Sequence, residues 1–152
     1  MSSTFTAPIR VNTRQTTSND GTISADNTGA AVLTQQAAFV TAAASTVVIP
    51  AGSIIHSIQA YVNDSASSRT LSLTVNGVTT SVGTISTAAL GVASAVFTAS
   101  ATVANLLANV GPYNCTVTLG AEASSAGTLS VMYTARNSDG TITPYGSGYS
   151  NN

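Results

Sequence analysis

Few side chains in this sequence are equipped for chemistry, and their spacing does not assemble them. His56 lies in IIHSIQAYV, where strict alternation puts it on one strand face with Ile54, Ile58, Ala60 and Val62. A general base needs an orienting acid and a nucleophile beside it, and nothing in the spacing nominates them, so His56 reads as a packed, hydrogen-bonded residue. Cys115 is the single cysteine, which excludes an intramolecular disulfide and any cysteine cluster for a metal. In NCTVTL it shares a strand face with Val117 and Leu119 and reads as a small buried filler, since a reactive thiol needs an electropositive neighbour. Asn19, Asp20, Asp26 and Asn27 offer oxygens to calcium, but the loop of alternating acids closed by a glutamate is missing, so they read as turns. Asp64, after Asn63, also reads as a turn residue. The five acidic residues show no pair of the kind that glycoside hydrolysis uses. The expectation is a protein that is not an enzyme, with no catalytic residue, metal or cofactor.

The framework that would position these residues is β-rich. Val47 to Asp64 is its centre: Val47, Val48 and Ile49 stop at Pro50, which has no amide for a ladder, and Gly52 bends the chain into the run Ile54 to Asp64. There Ile54, His56, Ile58, Ala60 and Val62 alternate with Ile55, Ser57, Gln59 and Tyr61. Upstream, Val32 to Val40 fits a strand or a short helix, and the β-branched density at the corner favours strand throughout, residues 41–44 included. Downstream, SASSR is a loop and Thr70 to Val75 a strand. Asn76-Gly77 is a type I′ turn signal joining it to Val78 to Ile85, in which Gly83 marks a bulge or a close backbone approach. STAALGVAS reads as a loop, and Ala95 to Ala99 as a strand around Phe97. Val103, Leu106, Leu107 and Val110 change the period to that of a helix over about 102–110, with Ser100 or Thr102 as N-cap and Gly111 beyond its end. Asn114 to Leu119 and Thr128 to Ala135 complete the strands.

Composition bounds the function. Nine formal charges in 152 residues, none of them lysine, make 6% of the chain, against roughly a quarter in an average protein. Polarity comes from 24 Thr and 21 Ser instead. Such a neutral hydroxyl surface offers little repulsion between copies, so an assembly is its natural setting. Four dispersed arginines make no basic stripe, so no nucleic-acid partner is expected. No run is apolar enough for a membrane span, and MSSTFTAPIR has neither the basic nor the apolar region of a secretory signal, so synthesis in a cytosol is expected.

Three regions are expected: an extended arm or edge strands over 1–31, a β-sandwich over 32–136 and a polar tail over 137–152. In the arm, Ile9, Arg10 and Val11 alternate as a partner-contacting strand would, and NDGT at 19–22 and Asp26, Asn27 and Gly29 are turn signals. In the tail, Tyr145 and Tyr149 stand among Gly, Ser and Asn, a composition suited to contacts.

Taken together, IPAGSIIHSIQAYVND, LTVNGVTT, NLLANVGPYNCTVTL and SSAGTLSVMYTARNSDG resemble the small β-rich virion proteins of tailed bacteriophages, over roughly Val47 to Gly140. The resemblance implies a jelly-roll-like or tulip-like antiparallel β-sandwich with one short helix. It also implies a capsid decoration (cement) protein at the virion surface, with the major capsid protein of the shell as partner. A homo-oligomer is expected, a trimer by the local three-fold positions of shells. The alternative is a receptor-binding or fibre-associated β module of the virion.

Overall fold

The computed structural model describes residues 32–135, together with the backbone of two short strands, β1 (Arg14–Thr17) and β2 (Ser24–Asn27), which pair antiparallel with each other. Asp26 and Asn27 thus belong to a strand end, whereas Ile9, Arg10, Val11, Tyr145 and Tyr149 lie outside the described residues. From Val32 on, the chain forms β3 (Val32–Phe39), β4 (Ser45–Ile49), β5 (Ile54–Asp64), β6 (Ser68–Val75), β7 (Val78–Ser86), β8 (Gly91–Phe97), α1 (Ala101–Ala108), β9 (Cys115–Leu119) and β10 (Ala126–Thr134).

The pairing is nested and antiparallel throughout. At the centre β6 pairs with β7 across the Asn76-Gly77 turn, where both residues have positive φ as the type I′ signal requires. Outside that hairpin β5 pairs with β8, then β4 with β9, then β3 with β10. This long double strand is rolled up, so that β10 also meets β5, β9 meets β6, and the full order is β3-β10-β5-β8-β7-β6-β9-β4. That is a jelly roll: β3-β10-β5-β8 faces β4-β9-β6-β7, and β8 joins the halves by giving Gly91–Ser94 to β5 and Ala95–Phe97 to β7. The expected all-β antiparallel architecture is therefore the observed one.

Side chains facing inward from both halves make one core, including Phe39, Ile49, Ile58, Leu71, Ile85 and Leu129. Two glycines permit backbone contact that no side chain would. A Cβ on Gly83 would overlap the Val96 carbonyl oxygen, and one on Gly127 the Tyr61 carbonyl oxygen. Gly83 also follows the bulged residue Val82, since Leu71 pairs with Gly83 and Ser72 with Ser81. Both readings of Gly83 thus hold.

Four expectations need correction. β5 carries a bulge, with Tyr133 opposite Ile55 and Met132 opposite Ser57, so His56 is an extra residue that reverses the alternation. Ile55 is buried with Ile58, Ala60 and Val62, while His56 is exposed and Ile54 only partly covered. Second, β8 begins at Gly91, inside the stretch expected to be a loop, because Tyr61 and Val62 supply ladder partners to Val92 and Gly91. Third, α1 ends at Ala108: Ser100 is its N-cap, its hydroxyl accepting from the Val103 amide at 3.2 Å, and Asn109 rather than a following glycine is its C-cap.

The fourth correction is the largest, because the run through 41–44 is a tight turn and the supposed loop residue Arg69 lies inside β6 with 1% of its surface exposed. Its guanidinium spends all five N–H donors. Nε donates to Ser125 Oγ (2.6 Å), Nη1 to the carbonyls of Ala43 and Gly120 (both 2.9 Å), and Nη2 to those of Val40 (3.0 Å) and Ser125 (2.6 Å). The cation also lies over the Phe39 ring, 4.8 Å from its centroid. Burial lowers the Arg69 pKa, and the nearby Glu122 charge opposes that shift. Arg69 thereby ties the 40–44 turn to the 120–125 loop at one end of the roll, and Ala42 is held there at φ 59°.

Replacing this side chain strands several buried acceptors, each worth about 1–3 kcal/mol when left without a donor. Arg69→Met is expected to lower unfolding free energy by about 3 kcal/mol or more, and Arg69→Lys, with three donors, by less. Urea unfolding with an unchanged m-value checks this. A loss below about 1 kcal/mol for the methionine variant would mean that water or new partners replace the guanidinium.

Candidate docking surface

The groups first suspected of chemistry are used structurally. His56 Nε2 sits 2.6 Å from Thr134 Oγ1, across the bulge, with no acid bonded to it among the described residues. Cys115 is buried opposite Ile49 and Val75, and burial pushes its thiol up to about 11. Glu122 accepts from the Ser124 amide and the Ser67 hydroxyl, both at 3.1 Å. It is held below the usual carboxylate range, first by that amide and least by the Arg69 charge. Among the described residues no three His, Cys, Asp or Glu side chains come together as a metal site would require, and no helix is long and apolar enough to cross a membrane.

What the fold does assemble is surface. Residues 32–135 contain three formal charges, and Arg69 is buried, so the outside of the roll carries only Asp64 and Glu122. Both broad faces are uncharged. On β4-β9-β6-β7 the cross-strand rows are hydroxyls: Thr46, Thr118, Ser72 and Ser81 form one, and Val48, Thr116, Thr74 and Thr79 the next. Thr74 and Thr79 bond to each other through their hydroxyls at 2.8 Å. Paired Ser and Thr suit such positions because each hydroxyl both donates and accepts.

The opposite face, β3-β10-β5-β8, differs in kind. One row is Gln36, Ser130, Gln59 and Ser94, and the neighbouring row is Ala38, Thr128, Tyr61 and Val92. Along β8, inward Ala93, Ala95 and Phe97 alternate with outward Val92, Ser94 and Val96. Tyr61 is 43% exposed, Val92 62%, Val96 69% and the preceding Leu90 68%. An apolar strip with one aromatic thus runs along the edge of an amide and hydroxyl face. This is the composition of an interface centre and its rim: tyrosine and apolar groups inside, hydrogen-bonding groups around, few charges. The residues are visible in the sequence, but their grouping is not, because Tyr61 and Val92 meet only through the β5–β8 pairing.

Val32 and Thr134 are register partners, so β3 begins beside the end of β10, at the end of the roll opposite the Arg69 clamp. No protein-family model matches the chain, and no curated protein and no solved structure is similar to it.

The burial of the thiol is measurable. Because the folded pKa is raised, the native state keeps the Cys115 proton where the unfolded chain has lost it, so stability is complete below the unfolded value of 9.0 and falls as pH rises towards about 11. Unfolding measurements across that window are expected to show the decline, and Cys115→Ala to remove its thiol-dependent part. Thiol labelling of the native chain at neutral pH is expected to be slow. Rapid native labelling would contradict the buried, protonated assignment.

Proposed function

We propose that this protein is a non-enzymatic structural protein of a tailed-phage virion that docks on the outside of the capsid and stabilises it, with the major capsid protein as its partner. The observation that carries the reading is the nearly uncharged exterior of the described roll, with an apolar strip at Tyr61, Val92, Val96 and Leu90. A decoration protein needs a rigid neutral face, segments that reach neighbouring subunits, and no chemistry of its own. The arm and tail expected from the sequence over 1–31 and 137–152 would suit the second need. Jelly rolls serve often in capsids and also in lectins, so the surface and not the fold bears the argument.

The mechanism is linkage. A protein that binds only the assembled shell stabilises it by RT ln(1 + [L]/Kd), about 2.7 kcal/mol per site when free ligand exceeds Kd a hundredfold. Repetition over many sites multiplies that term. A trimer would match local three-fold positions on a shell, and an isologous or cyclic contact through a hydroxyl face would need no charge pairing.

The test is co-sedimentation with empty tailed-phage capsids, scored with the solution mass. Saturable binding at a fixed copy number is expected, with little change in 1 M salt because few charges are available for screening. Val92→Lys and Tyr61→Lys, both at exposed positions, are expected to stay within about 0.5 kcal/mol of native stability and to lose shell binding at least about tenfold. Unchanged binding in both variants would remove the strip from the reading. A stable trimer that ignores capsids and adheres to bacterial cells would replace it with the receptor-binding module.

A further inference from the structure

The Asn76-Gly77 turn holds a carboxamide beside a main-chain nitrogen that no side chain shields. Both residues are exposed at the tip of the β6–β7 hairpin, with φ of 48° and 77°, and Val78 beyond them is 68% exposed. A Cβ on Gly77 would find nothing within 4 Å, so the tip stands clear of the rest of the roll. Among the described residues neither the Asn76 carboxamide nor the Gly77 amide has a hydrogen-bond partner. Below the tip the hairpin is closed by the Val75 and Val78 pair and by the bond between the Thr74 and Thr79 hydroxyls.

The other asparagines of the described domain are placed differently. Asn109 Oδ1 accepts from the Gly111 amide (2.9 Å), and Asn114 Oδ1 from the Ala51 amide (3.2 Å). Asn105 lies in α1, where the helix fixes the backbone and the next residue is Leu106. Asn63 is exposed, but it sits in β5 ahead of Asp64, whose side chain crowds the following nitrogen and whose charge opposes loss of its proton. Asparagine followed by glycine occurs once in the whole sequence, at this tip.

We propose that Asn76 is a site of spontaneous deamidation, which places a new negative charge on the hairpin tip. The Gly77 nitrogen attacks Asn76 Cγ and gives up its proton; the Cγ–Nδ2 bond breaks, and the carboxamide nitrogen leaves as ammonia. The resulting five-membered succinimide is opened by one water molecule at either carbonyl, giving aspartate or isoaspartate at position 76. Water enters, ammonia leaves, and nothing is oxidised or reduced. Glycine suits the step because it lacks the Cβ that would crowd the attacking nitrogen. Ring closure needs backbone angles other than those of the closed turn, and an exposed tip reaches them by local opening at little cost. The product matters because the described exterior carries only Asp64 and Glu122, and one event takes the formal net charge of the chain from −1 to −2. Aspartate tolerates the positive φ and keeps the turn, whereas isoaspartate adds a main-chain carbon to a two-residue loop whose length sets the register of β6 on β7. The site rests on the hairpin alone and is independent of the capsid reading.

The test incubates the full native chain at mildly alkaline pH and follows it by ion exchange and by peptide mass spectrometry. An acidic species with one more negative charge is expected, carrying a gain of about 1 Da that fragmentation places at position 76, part of it as isoaspartate. It is expected to form more slowly at mildly acidic pH, where the amide nitrogen keeps its proton. Asn76→Gly, which keeps positive φ accessible in the turn, is expected to fold and to yield no such species. Asn76→Asp, tolerated in the same turn, is expected to co-elute with the aspartate product. A native Asn76 that stays intact while the urea-unfolded chain converts at that position would overturn the proposal. So would conversion of Asn63, Asn105, Asn109 or Asn114 ahead of Asn76, or an acidic species that persists unchanged in Asn76→Gly.

Discussion

The buried guanidinium of Arg69 is the interaction on which the rest of the roll depends. A charge taken out of water is costly unless every donor finds an acceptor, and here all five do, four of the bonds ending on main-chain carbonyls. Those carbonyls belong to turns, which have no ladder to satisfy them. The clamp thus serves the backbone as much as the side chain. It holds the tight 40–44 turn with Ala42 at positive φ, and with it the approach of β3 to β4, the two end strands of the sheet. Ser45 Oγ donating to the Ala38 carbonyl (2.8 Å) and the Ala42 amide donating to the Glu122 carbonyl (2.7 Å) fasten the same corner. Lysine has neither the donors nor the planar fork for this task.

Using its one cation inside leaves the described domain with an exterior of two acidic groups and many hydroxyls. That economy links fold to function. A neutral exterior repels its own kind weakly, and a strip such as Tyr61, Val92 and Val96 adds area that gains by being covered. Binding by such a surface is decided by shape and apolar contact, which salt hardly alters.

The two ends of the roll divide the work. At one, Arg69 and Glu122 join the loops through hydrogen bonds that use all five Arg69 donors. At the other lie the Asn76-Gly77 hairpin, the helix, a groove beside it, the start of β3 and the end of β10, since every strand pair of a nested roll brings its ends to one of two places.

Local rules were sufficient where one residue type has one structural use. Asn76-Gly77 determined a hairpin, Pro50 and Gly52 a corner, and the spacing of Val103 and Leu107 a short helix, all from the chain alone; alternation marked most core positions in β6, β9 and β10. The sequence could not show that His56 is an extra residue in β5, because a bulge is defined by the partner strand, and Ile55 and Ile54 look equally apolar. Nor could it show that GVAS is strand, since small residues take their conformation from the β5 edge they meet. Arg69 in SASSR looked like a solvated loop residue because its acceptors are carbonyls 26, 29, 51 and 56 positions away. The apolar strip of Tyr61 and Val92 has the same origin. Composition determined that the surface is neutral, and only the tertiary pairing decided which neutral groups stand together, because proximity across a sheet is set by register and not by order along the chain.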